Sequence, residues 1–289
     1  MTVTPQPAKT EPPPSVSVVV AAYDAAAVVG DCLRSLVALS YPKDRLEIIV
    51  VDNQSHDDTV AIVRGFGPAV VLTSEARRGA AAARNRGIAE ARGEIVAFTD
   101  ADCVVDPDWL VELVTGLRDP AVGIAGGPIR ALRPCTRIAE LGEDIHDHAQ
   151  AMQSTPPYAI SMNWASPKRV LDEVGRFDEA FLRCQDVDLT YRIMRAGHRL
   201  AYVESAVVHH RNRASLVALL REARQHGRGA VAVRRAHAAY LAGFSPAPSY
   251  RRRILGRLRR LRDVRHLDRG LFWLAFELGK ISGELSVRS

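Results

Sequence analysis

Two aspartates, Asp100 and Asp102, close an apolar run and are the side chains of this sequence best placed to do chemistry. Residues 94–99 (Glu-Ile-Val-Ala-Phe-Thr) are typical of a strand buried on both faces of a parallel sheet. Open α/β sheets bind ligands at the carboxyl ends of their strands, so both carboxylates are expected in a cleft. Carboxylates there can hold a divalent cation that in turn binds phosphate. A solvated turn is the alternative, since Asp is common in turns.

The elements before this strand alternate in type. Apolar runs at 16–22, 46–51 and 69–73 are separated by helical patterns at 26–39, 57–65 and 79–91. This order predicts a parallel sheet with helices on both faces, in which the strand ends at Asp24, Asp52 and Asp100 share one edge. Further on, helices are predicted from 106, 166, 185 and 215, and strands at 122–132, 200–203 and 206–209.

Composition fits one large α/β domain with an appendage. The chain has 289 residues, 47% of them hydrophobic and 25% charged, with a net charge of +6. The four cysteines have no CxxC spacing, which indicates reduced thiols and a cytoplasmic protein. The N-terminus is polar and proline-rich, unlike a signal peptide. No uninterrupted apolar run is long enough to predict a transmembrane helix.

Two nucleotide-binding fingerprints are missing. The first strand is followed by Tyr-Asp-Ala-Ala-Ala, without the glycines that admit a pyrophosphate, and there is no Walker motif. A bound nucleotide must therefore be held by side chains and metal.

A set of eight short motifs occurs in order along the chain. They lie at residues 19–24, 50–59, 83–87, 98–102, 163, 175–179, 185–192 and 207–209. Over residues 15–230 this set resembles family 2 glycosyltransferases, which are inverting enzymes that use nucleotide sugars. The resemblance implies a GT-A-type fold: an α/β, Rossmann-like, mostly parallel central sheet flanked by helices. We expect a C-terminal basic helical extension beyond it.

On the donor side, the resemblance implies that Asp102 binds Mn²⁺ or Mg²⁺ and that Asp100 contacts the ribose or the metal through water. It implies that Asp52 reads the base, which favours a UDP-sugar, and that Arg84 binds phosphate. The rest of the predicted donor pocket is Ala22, Tyr23, Asp24 and Ala101.

On the acceptor side, Asp186 is the predicted catalytic base, at a helix N-terminus that would keep it ionised. Gln185 precedes it where the family usually has Glu, which puts acceptor orientation in doubt. The family places acceptor contacts at Asn163 and Trp164, although Trp164 could instead belong to the core.

Two further roles are assigned by pattern. His209 is the predicted second metal ligand because it follows the Val-Val pair, with His210 in reserve. Asp188 is interpreted as a structural partner of Arg192, four residues later on the same helix.

The chain divides into a disordered tail (1–14), a catalytic domain (15–245) and a basic amphipathic helical extension (246–289). The extension has arginines and leucines at helical spacing, then an apolar run at 271–276. Attachment to an anionic membrane, at the inner face, is one interpretation. A helical cap packed on the domain or on a second subunit is the other. Nucleic acid is not expected, because no aromatic residues interleave with the arginines.

These features predict a metal-dependent inverting glycosyltransferase of cell-envelope or other glycan synthesis, acting on a glycan, lipid-linked or small-molecule acceptor. Gln185 keeps open a catalytically weak relative that only binds nucleotide or glycan. A nucleotidyltransferase of similar architecture is the third option, against which stands the lack of a glycine-rich, lysine-bearing first loop.

Overall fold

The computed structural model describes residues 12–133, 136–244 and 267–285. Its strands are β1 (Val16–Ala22), β2 (Leu46–Asp52), β3 (Val71–Ser74), β4 (Ile95–Asp100), β5 (Cys103–Val105), β6 (Val122–Gly126), β7 (Ile129–Ala131), β8 (Trp164–Pro167), β9 (Arg199–Tyr202) and β10 (Val208–His210). Its helices are α1 (Val29–Val37), α2 (Thr59–Arg64), α3 (Ala80–Glu90), α4 (Trp109–Gly116), α5 (Arg137–Ile145), α6 (His148–Gln153), α7 (Lys168–Glu173), α8 (Gln185–Arg195), α9 (Leu216–Ala236), α10 (Ala238–Leu241) and α11 (Leu267–Leu285).

The central sheet has seven strands in the order β3-β2-β1-β4-β8-β6-β9. The first four strands in this order run parallel, and only β8 is antiparallel to its neighbours β4 and β6. In the parallel register Ala22 lies opposite Asp52, and Ala21 lies opposite Asp100. The predicted shared edge of polar strand ends is therefore confirmed.

Apolar side chains bury both faces of this sheet. Successive residues of a strand point to opposite faces; accordingly Val18 and Val20 join one core cluster, and Val19 joins the other. The first cluster includes residues of α1 and α4, and the second includes residues of α3, α7 and α8. This double burial is why β1 and β4 are almost entirely apolar in sequence.

A second, three-stranded sheet has the order β5-β10-β7. Strand β10 runs antiparallel to β5, with His210 opposite Cys103 and His209 opposite Val104. Because β5 begins directly after the Asp100–Asp102 turn, this pairing brings the end of β10 to the edge of the central sheet.

The end of the described chain packs along α9. Helix α11 lies so close to α9 that a Cβ at Gly227 would meet the Phe276 carbonyl oxygen at 2.0 Å. The predicted apolar run 271–276 is thus part of a helix pair, in which Phe272 is buried with Leu219. Among the described helices, none is both long and apolar enough to cross a bilayer. The predicted basic stretch 250–265 and most of the predicted tail lie outside the described residues.

The structure differs from the predicted elements in the middle of the chain. Ser166 was expected to cap a helix, but it lies in β8, where it pairs with Val96, and the helix begins at Lys168. Helices α5 and α6 and strand β5 are additions that the sequence patterns did not predict.

Candidate active site

A cleft of about 620 Å³ lies at the carboxyl ends of β1 and β4. Of the residues assigned from the sequence, it is lined by Tyr23, Asp24, Arg84, Asp100, Ala101, Asp102, Gln185 and Asp186. The other five do not line it: Ala22, Asp52, Asn163, Trp164 and His209. The structure thus brings the two acidic clusters of the sequence, around residues 100 and 186, to one cavity.

Asp100 is held by Arg84. The Nη2 atom of Arg84 donates to Oδ1 of Asp100 at 2.6 Å, and the guanidinium lies over the Phe177 ring, 5.7 Å from its centroid. Arg84 is buried, with only 4% of its surface exposed. The arginine expected to bind phosphate thus fixes Asp100 through Nη2, since a buried charge is stabilised by a close partner of opposite sign. Its Nη1 atom is buried and makes no hydrogen bond.

Asp102 pairs with His210. The two groups lie 3.4 Å apart, from Nε2 of the imidazole to Oδ2 of the carboxylate. Burial opposes the charge of each partner, but their mutual contact outweighs it: the pKa of Asp102 is held below its usual value and the pKa of His210 is raised. The Nδ1 atom of His210 is 2.6 Å from Oδ1 of Asn212, which orients the ring with Nε2 toward Asp102.

This pair has the chemistry of a metal site. The candidate ligand atoms of Asp102, His210 and Cys103 all lie within 4.8 Å of one another. Burial raises the pKa of the Cys103 thiol well above its usual value, which disfavours the thiolate form that binds metal. One carboxylate and one imidazole remain, a donor set that suits Mn²⁺ better than Mg²⁺, which prefers oxygen ligands alone.

His209 points the other way. Its Nε2 atom is 2.9 Å from Oδ1 of Asp106, on the opposite side of β10 from His210. The prediction that His209 joins Asp102 in binding metal is thus corrected by the position of the side chains: His210 is the histidine beside Asp102.

Asp186 lies in the first turn of α8 and lines the same cleft. Its Oδ2 accepts a hydrogen bond from the Ser161 amide at 3.1 Å, and its Oδ1 accepts one from the Val187 amide at 2.9 Å. The preceding residue, Gln185, is buried beside it. The two amide donors fix the direction of the carboxylate.

The loop that carries Ser161 is itself fixed by His148. Nδ1 of His148 lies 2.8 Å from the Gly127 carbonyl oxygen, and Nε2 accepts from the Ile160 amide at 2.9 Å. Both bonds are made by a neutral ring, and burial lowers the pKa of His148 to about 4. His148 is a positioning residue for Asp186 that the sequence reasoning missed.

A buried ionic network anchors helix α8. Asp188 accepts from Arg192 at 2.6 Å, as the sequence spacing predicted, and it also lies 2.7 Å from Nε2 of His237 at the end of α9. Asp188 and His237 are both buried. This network attaches α8, the helix that carries Asp186, to the end of α9.

The predicted acceptor contacts at Asn163 and Trp164 are wrong in position. Asn163 is fully buried, where it accepts from Trp109 Nε1 at 2.7 Å and donates to the carbonyl oxygens of Pro128 and Ala206. Trp164 is also fully buried and packs on Phe98, with ring centroids 4.7 Å apart. Both side chains face the core because residue 164 begins a strand covered on both faces.

Of the residues predicted to bind the nucleotide base, Tyr23 and Asp24 line the cleft, whereas Ala22 and Asp52 do not. Asp52 is buried and accepts from the Ser55 amide at 3.3 Å, and Ala22 is buried in the strand opposite it. Asp24 accepts from the His56 amide at 2.7 Å. Tyr23 is half exposed and meets His56 edge-on, with centroids 6.2 Å apart, so it is the ring at this end of the cleft that is open to a planar ligand.

Several cleft residues come from segments that the sequence analysis did not single out. They are His146, Arg183, Arg211, Arg213, Glu222 and His226. Burial and the nearby charge of His210 lower the pKa of His146 to about 4. In the sequence, each of these six residues is distinguished only by an ionisable side chain in a helix or loop. Such residues are too common to indicate a functional site.

Comparison with known proteins gives concordant matches. The family model described as glycosyl transferase family 2 matches residues 17–175. Glycosyltransferase AglE of Haloferax volcanii is 31% identical over 200 residues, and the alignment covers 67% of this chain and 66% of that protein. The probable glycosyltransferase YdaM of Bacillus subtilis is 29% identical over 210 residues, 67% of this chain and 50% of that protein. The chain thus spans about two thirds of one relative and half of the other.

A solved structure has the same fold. The mannosyltransferase PcManGT from Pyrobaculum calidifontis, in complex with GDP-Man and Mn²⁺, superposes with a TM-score of 0.67 at 22% identity. The match covers 97% of this chain and 91% of that chain. It confirms the predicted GT-A-type α/β architecture.

The neutral, buried state of His148 predicts a pH-dependent stability. Because its pKa is about 4 in the fold and about 6.5 in a model peptide, the unfolded chain binds more protons between those values. The free energy of unfolding should fall as the pH drops below 6.5, by about 2 kcal/mol at pH 5 from this residue. Urea titrations at pH 7 and pH 5 should show a smaller loss for His148→Gln than for the unsubstituted chain. Equal losses in the two proteins would contradict the assignment.

Proposed function

Because this chain belongs to glycosyl transferase family 2, we propose that it is an inverting, metal-dependent enzyme that moves a sugar from a nucleoside-diphosphate sugar to an acceptor hydroxyl. The observation that carries this proposal is one cleft that holds the Asp102–His210 pair and the Asp186 carboxylate together. The first is suited to a leaving diphosphate and the second to an incoming hydroxyl.

At the donor end, Asp102 and His210 are the proposed ligands of Mn²⁺. The bound ion would act as a Lewis acid that neutralises charge on the departing diphosphate. Asp100, oriented by Arg84, is placed to accept hydrogen bonds from the ribose. Arg183 lines the same cleft and is the proposed source of positive charge beside the diphosphate. Arg211 and Arg213 also line it, but they are paired with Asp31 and Glu222. The complex of PcManGT with GDP-Man and Mn²⁺ supports a donor and an ion of this kind.

At the acceptor end, Asp186 is the proposed base. The acceptor oxygen attacks the anomeric carbon as the bond to the diphosphate breaks, and its proton passes to Asp186. Attack from the face opposite the leaving group inverts the anomeric centre. The amides of Ser161 and Val187 hold the carboxylate in one direction, which positions it without a conformational search.

The choice of donor is a further proposal. We put a UDP-sugar first, as the family pattern at Asp52 implies, and GDP-mannose second, by analogy with PcManGT. Tyr23 is the proposed contact to the base, because it is exposed at the cleft whereas Asp52 is buried beneath it. Asp52 would then act by holding the loop at Ser55.

The proposed setting is glycan or glycoconjugate synthesis at the cell envelope, carried out on the cytoplasmic side. Residues 15–245 form the proposed catalytic domain. For residues 246–289, the packing of α11 along α9 supports a helical cap on that domain, with membrane attachment or a homodimer contact as additional roles of its basic part.

Removing the imidazole beside Asp102 should weaken the metal site. His210→Ala should raise the Kd for Mn²⁺ in the presence of nucleoside diphosphate by about tenfold or more, because one of two protein ligands is lost. His209→Ala is the matched control one residue away and should leave the Kd unchanged. Titration followed by Mn²⁺ electron paramagnetic resonance measures both; the opposite ranking would assign the ligand to His209.

Neutralising Asp186 should slow sugar transfer without weakening the binding of the nucleotide sugar. Asp186→Asn should lower kcat by about 10²–10⁴-fold, since a positioned general base contributes that much. Calorimetry should give an unchanged Kd for the nucleotide sugar. The exposed Asp178, whose Oδ1 only accepts from the nearby Ala180 amide, provides the control Asp178→Asn, which should retain full activity. Full turnover by Asp186→Asn would refute the assignment.

A further inference from the structure

A second cavity of about 390 Å³ adjoins the cleft and takes no part in the steps above. The two cavities share six lining residues: His146, Ile160, Cys184, Asp186, Glu222 and His226. They therefore meet at the carboxylate that we assign as the base. A hydroxyl group that reaches Asp186 from this side of the cleft has its carrier in or near the second cavity.

The interior of the second cavity is apolar. Beyond the shared mouth it is lined by aliphatic and aromatic side chains of α9, α10 and α11: Leu219, Val233, Leu241, Phe272, Trp273 and Phe276. Two tyrosines, Tyr158 and Tyr191, complete its wall beside Asp186. Apolar walls with a few polar groups at one end are typical of sites for small amphiphilic ligands. A free sugar, with hydroxyls on every side, would lose hydrogen bonds to water here.

The charged groups at the mouth of the second cavity favour an uncharged ligand over an anionic one. Arg234 is paired with Glu284, and Glu222 is paired with Arg213 at 3.5 Å and with His226 at 3.8 Å. Among the described lining residues the cations are thus already matched, whereas Asp186 is an anion without a cationic partner in the ion pairs described. A phosphate group placed here would meet that carboxylate at close range in a cavity of low polarity.

We propose that this cavity binds the apolar body of the acceptor, and that the acceptor is an uncharged alcohol with an apolar body. The inference rests on the proposed function, since it takes Asp186 as the base. It narrows the acceptor from a glycan, lipid-linked or small-molecule acceptor to one chemical class. Hydrophobic burial provides affinity, and the single hydroxyl at the mouth provides orientation toward Asp186.

Two alanines on α9 give a matched test. Ala230 lines the cavity and is partly buried, whereas Ala232 is exposed on the other side of the same helix. Ala230→Phe fills the cavity, and Ala232→Phe adds the same group where it faces solvent. The probe is naphthalenemethanol, whose fluorescence reports binding to the full chain directly; its phosphate ester and glycerol are the anionic and hydrophilic counterparts.

The expected result is saturable binding of naphthalenemethanol that is weakened about tenfold or more in Ala230→Phe and unchanged in Ala232→Phe. Glycerol should not compete for binding, and the phosphate ester should bind more weakly than the alcohol. No binding, equal binding by the two variants, or tighter binding of the phosphate ester would each overturn the proposal.

Hydrolysis of the nucleotide sugar, measured on the same three proteins, keeps the two proposals apart. It should be the same in all three, since neither alanine touches the donor cleft. Normal donor hydrolysis without naphthalenemethanol binding would reject the acceptor class and leave the proposed function standing. Naphthalenemethanol binding with no binding or hydrolysis of any nucleotide sugar would reject the proposed function, and with it the acceptor assignment.

Discussion

The pairing register of β10 against β5 is the constraint on which the site depends. It sets His210 opposite Cys103, the residue that follows Asp102, so the imidazole reaches the Asp102 carboxylate. A shift by one residue would turn the side chains of β10 to the opposite faces and exchange the two histidines. The proposed metal site is thus made by the hydrogen-bonded ladder that joins the small sheet to the edge of the large one, more than by any local motif.

The two ends of the cleft are fixed by different physical means. Asp100 is held by a buried charge pair with Arg84, and its place at the sheet edge follows from the parallel register of β1 and β4. Asp186 is held by two main-chain amides, that of Val187 in α8 and that of Ser161 in the loop before β8, and neutral His148 supports that loop. Each buried polar group is costly unless its partners are present, so these contacts also make the arrangement rigid. Rigid placement of the reacting groups is what a displacement reaction with two substrates requires.

The sequence predicts the N-terminal strands well, because strands buried on both faces are continuous apolar runs. The prediction of β1 has the observed bounds, that of β2 differs by one residue at one end, and that of β4 differs by one residue at each end. Asp100 and Asp102 could be placed in a cleft because a strand end leaves a local signal, whereas Asp186 was assigned through the family resemblance. The choice of His209 was wrong because Val-Val-His-His carries no information on register. Asn163 and Trp164 failed because a polar residue beside an aromatic one has the same pattern whether it faces a cleft or the core. His148 and Glu222 are brought in by contacts between distant segments, which no single-sequence pattern encodes.

We propose that Asp102 and His210 hold the ion that binds the donor diphosphate, while Asp186, in the same cleft, stays outside the coordination shell of that ion. Diffraction at the manganese absorption edge, from crystals grown with Mn²⁺ and a nucleoside diphosphate, locates the ion. We expect one anomalous peak in the cleft, within coordination distance of the Asp102 carboxylate, His210 Nε2 and the diphosphate, and away from Asp186. A peak between His209 and Asp106, or one bound by Asp186, would contradict it.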